Sequence, residues 1–291
     1  MAINNAVNAK VTGFQSLNAT TGVWNGRTLQ QGTNITITNA DGTGGDPTIS
    51  ATGGGSSTAG ATLDMVDDFV FPARLTNEAI YSVYEWQFKK DQSSNFGDVT
   101  VADVASGRPG VAQLTTNSAV GLGASNIAIF GGGSGTGPFI LGGGVLTLQF
   151  YIKLPALSII TARYIVMFGL GDTFLTAGTT DQVNGCYFSY SDSVNSGNWS
   201  VKTASASTRT TGSTSTAADT SWHVYKIVVN AAATSVAYYI DGVQVANSPL
   251  TTNIPTTAIG PFVSIIETIG TTSNTVDVDL FTLNLPLTTP R

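Results

Sequence analysis

The chain has 291 residues, of which 42% are hydrophobic, so it can bury a substantial core and does not have the composition of a disordered protein. Only 10% of the residues are charged and the formal net charge is −6, which argues against a basic surface for phosphates, so we expect no nucleic-acid partner. A single cysteine, Cys186, excludes an intrachain disulfide and a metal site built on cysteine pairs.

The sequence shows no segment that we expect to enter a membrane. A membrane-spanning helix needs roughly 18 uninterrupted apolar residues, and the best candidate, residues 159–170, is interrupted by Arg163. Residues 1–13 also lack the basic and then apolar pattern of a secretory signal. A surface rich in Gly, Ser, Thr and Asn without an export signal is the pattern that we expect of a phage structural protein.

The N-terminal module, residues 1–52, contains two short strand-like segments. Ile35 and Ile37 alternate with polar residues, and turn residues then lead to a second short strand at Thr48 and Ile49. A lone two-stranded unit is marginal in water, so we expect this module to pack against copies of itself or a partner. The apolar candidates for that contact are Phe14, Trp24, Leu29, Ile35, Ile37 and Ile49.

A linker, residues 53–62, follows the N-terminal module. Its GGGSSTAG core is made of small residues that offer no apolar surface to a fold, which predicts a flexible segment. The remaining residues, 63–291, form one long β-rich segment without a convincing helical pattern. The predicted organisation is therefore an attachment module, a Gly/Ser linker and one C-terminal domain.

Strand patterns recur along the C-terminal domain. Leu146, Leu148, Phe150, Ile152 and Leu154 alternate with polar or amphipathic residues, which is typical of a strand with one buried face. An Asp241-Gly242 turn, which accepts positive φ, predicts a hairpin over Val236–Ala246. Such regular strand and turn spacing favours a single sandwich. Further predicted strands are Tyr164–Phe168, Cys186–Tyr190, Trp199–Thr203, Trp222–Val229, Phe262–Glu267 and Val276–Leu285.

Two parts of the chain resemble known families. Arg27–Ser50, with its GTNITITNADG core, resembles a module of bacteriophage tail fibres and related virion appendages. The C-terminal domain resembles concanavalin A-like and laminin G-like jelly rolls through NSGNW at 195–199, SWH at 221–223, YIDG at 239–242 and VDVDLF at 276–281. The expected fold is therefore all-β, with a short N-terminal β oligomerisation and attachment module before a concanavalin A-like jelly-roll sandwich.

The resemblance also implies a function. It implies a homotrimeric fibre or spike subunit of the virion that contacts other virion proteins through its N-terminal module. The C-terminal domain would then bind a glycan or another envelope component of the host surface. Two alternatives remain open: a capsid-decorating or head-fibre protein, and a polysaccharide depolymerase.

A loop between two predicted strands offers candidate ligand-binding residues. Tyr190 and Trp199 flank a polar loop that contains Asp192, Asn195 and Asn198. Exposed aromatic rings beside amide side chains are surfaces on which sugar rings stack. Packing of Trp199 in the core is the alternative, and it is the more common one for a tryptophan in a sandwich.

Carboxylates and the single histidine do not form an obvious catalytic site. Glycosidases need two suitably spaced carboxyl groups, and the closest candidates are Asp277 and Asp279, which alternate on one predicted strand. Families of this fold that hydrolyse glycans carry glutamates in that motif, so we expect no enzyme, and we expect both aspartates to face solvent or bind a cation. His223 is expected to be a structural residue at the sheet rim.

A calcium ion is the one cofactor that the loops could hold. Calcium takes several carboxylate and carbonyl oxygens, and Asp172, Asp181, Asp192 and Asn195 lie in predicted loops. Their spacing matches no fixed calcium motif, so the metal prediction stays open. We expect no other cofactor.

Overall fold

The computed structural model describes residues 14–17, 24–27, 35–38, 48–51, 62–69, 86–91, 95–97, 107–108, 110–116, 123–130, 137–176 and 180–288. Over these residues the chain forms β-strands and one short 3₁₀-helix, Asn195–Gly197, which confirms the predicted all-β class. In the described part of the chain, no helix has the length and apolar character needed to span a membrane. The strands are β1 (Phe14–Leu17), β2 (Trp24–Arg27), β3 (Ile35–Thr38), β4 (Thr48–Ala51), β5 (Thr62–Asp67), β6 (Gln87–Asp91), β7 (Asn95–Gly97), β8 (Ala112–Thr115), β9 (Ala124–Ala128), β10 (Leu146–Lys153), β11 (Arg163–Gly171), β12 (Gly185–Tyr190), β13 (Asn198–Ser205), β14 (Thr208–Ala217), β15 (His223–Val229), β16 (Val236–Ile240), β17 (Val243–Gln244), β18 (Gly260–Ile269) and β19 (Thr275–Pro286).

The first of two compact units spans residues 1–59. Its described strands form two antiparallel pairs, β1 with β2 and β3 with β4, and the second pair places Ile37 opposite Ile49. Ile49 is 65% exposed, so within this chain its side chain has little cover. Phe14, Trp24 and Ile35 lie in these strands, whereas Leu29 and residues 53–61 of the predicted linker lie outside the described residues. Oligomerisation through this unit stays a prediction.

The second unit, residues 60–291, contains two large antiparallel sheets. The eight-stranded sheet has the order β17-β16-β15-β10-β19-β8-β7, and β5 pairs with the C-terminal part of β19. The seven-stranded sheet has the order β14-β13-β12-β11-β18-β9-β6. One core cluster contains side chains from both sheets, so they pack face to face as a sandwich.

Aromatic side chains fill the centre of that core. Phe168 on the seven-stranded sheet lies with its ring centroid 4.8 Å from Tyr225 on the eight-stranded sheet and 5.5 Å from Phe188. Phe150 of β10 contacts Phe168 from the opposite sheet at 6.1 Å. These edge and stacked contacts stabilise the interface beyond the apolar area that they bury.

The predicted strands of the C-terminal domain are all present, with bounds that differ by a few residues. The largest extensions are those of β11, which runs from Arg163 to Gly171 where the pattern predicted Tyr164–Phe168, and of β18, which runs from Gly260 to Ile269 where it predicted Phe262–Glu267. The hairpin is also confirmed: β16 pairs with β17, and Asp241 and Gly242 have φ angles of 49° and 81°. Positive φ at both central residues is the geometry of a tight two-residue turn that suits strand twist.

Strands β5 to β9 were not predicted from the sequence, and neither was the long strand β14. It contains ten residues, TRTTGSTSTA, and no large apolar side chain marks a buried face. It forms the edge of the seven-stranded sheet, where Asn247 Nδ2 donates to the Ser213 carbonyl. Backbone pairing with β13 across the two-residue turn at Ala206 and Ser207 therefore defines this strand, and backbone hydrogen bonds do not require an apolar side-chain pattern.

Candidate functional site

The two sheets differ in what lies on their outer faces. On the seven-stranded sheet, a second apolar cluster forms outside the central core, and Phe174 and Leu175 from the connection after β11 help to cover it. Asn126 of β9 fastens this connection by donating to the Leu175 carbonyl and accepting from the Leu175 amide. The centre of this outer face is therefore closed to solvent.

The outer face of the eight-stranded sheet, defined as the face turned away from the core, is polar and open. In β10 the residues alternate strictly between buried and half-exposed, and the half-exposed set is Thr147, Gln149, Tyr151 and Lys153. The neighbouring strand β15 continues the pattern with Val224, Lys226 and Val228. This sheet therefore presents a broad surface on which hydroxyl, amide, aromatic and amine groups lie beside valine side chains.

Strand register aligns these side chains into a row that crosses six strands, here called the central row. Each residue is the cross-strand partner of the next, so all of them project from the same face. With neighbouring strands about 4.8 Å apart, the row extends about 24 Å. In spatial order it consists of Gln244, Tyr239, Lys226, Gln149, Thr282 and Val66.

Over the side chains with described burial, aromatic exposure is confined to this outer face. Among the side chains whose burial the structure describes, the only Phe, Tyr or Trp residues that are not buried are Tyr151, Trp222 and Tyr239. Tyr151 and Tyr239 project from β10 and β16, and Lys153 of the same face lies 5.8 Å from the centre of the Trp222 ring. The other aromatic side chains with described burial lie in the two apolar clusters.

The two aspartates of β19 are buried. Asp277 and Asp279 are only 0% and 5% exposed, so the prediction that they face solvent is wrong. Gln113 Nε2 donates to Asp277 Oδ1 at 2.7 Å, and Arg108 Nε donates to Asp279 Oδ2 at 2.9 Å. Burial raises the pKa of Asp279, and the charge of Arg108 opposes that shift. The cation that Asp279 binds is thus a guanidinium of the same chain.

His223 lies at one end of the sheet between two carboxylates. Its Nδ1 is 2.6 Å from Asp241 Oδ2 and its Nε2 is 2.9 Å from Asp219 Oδ1, while Asp241 Oδ1 also accepts the Val224 amide. Burial lowers the pKa of the imidazole, but the hydrogen bonds to the two aspartates outweigh it and the net shift is upward. A charged imidazolium would donate to both carboxylates, which supports the predicted structural role at the sheet rim.

Replacing His223 with Gln should reduce stability in a pH-dependent way. The folded-state pKa lies above the usual 6.5, so the contribution of His223 is complete below pH 6.5 and is lost as the pH rises through the folded-state value. Because Asp219 and Asp241 are open to solvent, we expect a loss of about 1 kcal/mol at pH 5.5 and a much smaller loss at pH 9. Urea unfolding at pH 5.5 and at pH 9 measures the loss of stability. Equal losses at the two pH values would contradict the ion-pair interpretation.

Tyr190 and Trp199 do not have the exposed rings that sugar stacking would need. They are 3% and 1% exposed, and their ring centroids lie 5.4 Å apart inside the core. Trp199 also contacts Tyr225 at 4.9 Å, so its ring joins the two sheets. The stacking role predicted for this pair is wrong, and packing is the correct interpretation. Trp199 is buried because its ring projects from β13 into the core between the two sheets.

The polar residues of the same loop stabilise its conformation through hydrogen bonds. Asp192 binds Arg163 through two hydrogen bonds of 2.9 and 3.1 Å and accepts from Ser158, and the Arg163 contact lowers the Asp192 pKa. Asn195 Nδ2 donates to the Trp199 and Thr214 carbonyls. Asn198 is half-buried and follows the 3₁₀-helix. The described contacts therefore tie Asp192 and Asn195 to neighbouring protein groups.

The four oxygen donors proposed for calcium do not form one group. Asp181 contacts Lys202 at 3.0 Å and Arg209 at 3.1 Å, so two cations of the chain already balance its charge. Asp172 accepts from the backbone and side chain of Asn184. Over the described residues, no cluster of three or more His, Cys, Asp or Glu side chains has a metal-binding arrangement. Calcium binding stays a prediction.

The residues of the central row were not among the site residues expected from the sequence. The alternation in residues 146–154 places Gln149 and Tyr151 on the polar face of β10, and this placement follows from the sequence alone. It could not show that the corresponding face of the other sheet is covered. Lys226 and Tyr239 become neighbours only through the pairing of β15 with β16.

Comparison with solved structures finds chains that are similar to this one. The chain is similar to SO2946, a protein of unknown function from Shewanella oneidensis MR-1, with 15% identity, a TM-score of 0.52 and coverage of 81% of this chain and 91% of that chain. The carbohydrate recognition domain of Emp47p is similar at 8% identity, a TM-score of 0.48 and coverage of 80% and 97%. A Bacillus licheniformis β-glucanase is similar at 15% identity, a TM-score of 0.45 and coverage of 76% and 97%.

Sequence comparison assigns the family. No curated protein matches the sequence. The family model for the SO2946-like C-terminal domain matches residues 107–279, which is more than half of the chain and includes strands of both sheets. The matched residues lie in the sandwich, which therefore contains the C-terminal domain of this family. The chain belongs to the SO2946-like family.

Proposed function

We propose that the sandwich binds carbohydrate through the outer face of the eight-stranded sheet, as the host-attachment part of a phage virion appendage. The observation that supports this most strongly is that, among the aromatic side chains with described burial, those that are not buried all lie on this face, at Tyr151, Trp222 and Tyr239. Aromatic rings beside amides and hydroxyls provide both the apolar and the polar contacts that a sugar ring needs. Gln149 and Thr282 supply polar groups on the same face.

The shape of this face suits a multivalent attachment protein. A flat row of half-exposed side chains gives each bound sugar only a few contacts, so a single site would bind weakly. Linked copies raise the effective concentration at a host surface, and weak sites then suffice. The exposed Ile49 in the first unit is an apolar contact that a second copy could cover, which supports the predicted homotrimer.

Replacing Tyr239 with Ala should weaken glycan binding about tenfold or more, because the variant removes a stacking ring and exposes no new polar group. Tyr239→Phe keeps the ring and is the matched control, so it should bind nearly as well as the unaltered protein. Binding to a glycan array followed by calorimetry on the best ligand measures both. Unchanged affinity in Tyr239→Ala would exclude this face, and no binding to any glycan would contradict the carbohydrate proposal itself.

The virion assignment is supported by the resemblance of Arg27–Ser50 to tail-fibre modules. Immunogold electron microscopy of phage particles with an antibody against the sandwich tests it directly. Label on the tail supports a fibre or spike subunit, and label on the head supports the capsid-decorating alternative. Particles that lack the protein would contradict both. Sedimentation equilibrium of the full chain gives the oligomeric state, and a monomer would contradict the trimer.

We propose binding in preference to hydrolysis because Asp277 and Asp279 are buried and held by Gln113 and Arg108. Carboxyl groups that act on a glycan must reach the glycosidic oxygen or the sugar carbon. A depolymerase would release soluble fragments from a polysaccharide that the protein binds. Size-exclusion chromatography of that polysaccharide after incubation distinguishes the two activities, and we expect no change in its size.

A further inference from the structure

In the centre of the outer face, the basic side chains are more exposed to solvent than the acidic ones. The chain as a whole has more acids than bases, 18 against 12. On the central part of this face, however, the acids Asp277 and Asp279 are buried, whereas Lys153 and Lys226 are half-exposed. Asp64 is exposed at the β5 edge and hydrogen-bonds to Asn284. Among the side chains with described burial, a ligand lying across the centre of the face therefore meets the ammonium group of Lys226 and no exposed carboxylate.

Lys226 occupies the middle of the central row. Its Nζ lies 4.3 Å from the centre of the Tyr239 ring, and its other row neighbour is the amide side chain of Gln149. In the described part of the chain, no carboxylate lies within salt-bridge distance of this ammonium. By contrast, Arg163, Lys202 and Arg209 each have an aspartate partner. A ring contact holds Lys226 in place and leaves its hydrogen-bond donors available.

From this arrangement we infer that the face is selective for acidic glycans, with Lys226 binding the carboxylate of a uronic-acid or similar sugar. This inference rests on the carbohydrate-binding function proposed above. The carboxylate accepts hydrogen bonds from Lys226 Nζ while the sugar ring lies against Tyr239, and Gln149 provides amide contacts to the adjoining hydroxyls. Charge-assisted hydrogen bonds are about twice as strong as neutral ones, so a carboxylate distinguishes acidic from neutral sugars efficiently.

The test uses a panel of acidic bacterial polysaccharides, each measured before and after chemical reduction of its carboxyl groups, together with neutral dextran and mannan. We expect the full chain to bind at least one acidic polymer, with about tenfold lower affinity for its carboxyl-reduced form. Lys226→Gln should bind the acidic polymer with about tenfold lower affinity than the unaltered protein, and it should bind the reduced polymer with the same affinity. Rising salt should weaken binding to the acidic polymer and leave binding to its carboxyl-reduced form unchanged.

Lys89→Gln is the matched control. Lys89 lies over the Phe174 ring at 5.1 Å on the seven-stranded sheet, so the control makes the same charge change at a similar ring contact away from this face. It should bind like the unaltered protein. Equal affinity for the native and reduced polymers, or equal losses in the two variants, would overturn the acidic-glycan inference while leaving carbohydrate binding intact. Failure to bind any polymer would instead contradict the proposed function.

Discussion

Replacing Trp199 with Ala should lower the free energy of unfolding by about 3–5 kcal/mol, the usual cost of removing a large aromatic side chain from a core. The indole is 1% exposed and contacts Phe168 at 5.5 Å and Tyr225 at 4.9 Å, so its loss leaves a cavity between the two sheets. Urea unfolding followed by circular dichroism measures the change. If the variant does not fold, Trp199→Phe provides a smaller cavity and a measurable loss.

Trp222→Ala is the control variant, which distinguishes the loss of a half-exposed tryptophan from the loss of the buried Trp199. Trp222 is half-exposed, and its described ring contacts are the cations of Arg108 and Lys153 at 4.6 and 5.8 Å. Such contacts at exposed sites contribute about 0.5–1 kcal/mol, so this variant should stay folded while its glycan affinity falls. A Trp199→Ala protein within 1 kcal/mol of the unaltered one would contradict the packing described for β13.

Replacing Glu267 with Met should stabilise the protein above neutral pH. The side chain is 1% exposed, and in the described structure neither carboxylate oxygen has a hydrogen-bond partner. Burial raises the pKa of Glu267 to about 7 from 4.5. The folded state therefore retains a proton that the unfolded chain releases, so stability falls as the pH rises from 4.5 to 7. That loss is on the order of 2–3 kcal/mol.

The measurement is the difference in unfolding free energy between pH 5 and pH 8.5. Glu267→Met should remove on the order of 2–3 kcal/mol of this difference, because no buried carboxyl group remains to ionise. His223 also loses its contribution above pH 6.5, so His223→Gln is measured in parallel to separate the two groups. The same pH dependence in Glu267→Met and in the unaltered protein would contradict the prediction.

Local patterns in the sequence were sufficient for much of the C-terminal domain. Alternation identified β10 with its buried and polar sets, and the Asp241-Gly242 dipeptide identified the β16–β17 hairpin. Both signals are local because a strand has a period of two residues and a tight hairpin turn requires positive φ. Strand β14 was missed because its Thr and Ser residues carry no such alternation.

Long-range contacts decided where the candidate site lies. Period-two alternation shows which residues share a face of a strand, but it does not show which face another segment covers. The sequence presented Tyr190 and Trp199 beside a polar loop, and sheet packing buried both. The connection with Phe174 and Leu175 covers one sheet and leaves the other open.

The sequence by itself determined the all-β class, most strands of the sandwich, and the scarcity of charge that makes hydroxyl and amide groups the main surface chemistry. Only the tertiary structure decided that Asp277 and Asp279 are buried, that His223 lies between two aspartates, and that Tyr239, Lys226 and Gln149 form one row. The physical reason is that burial and cross-strand neighbours depend on pairing between segments far apart in the chain, and such pairing leaves no local pattern to read.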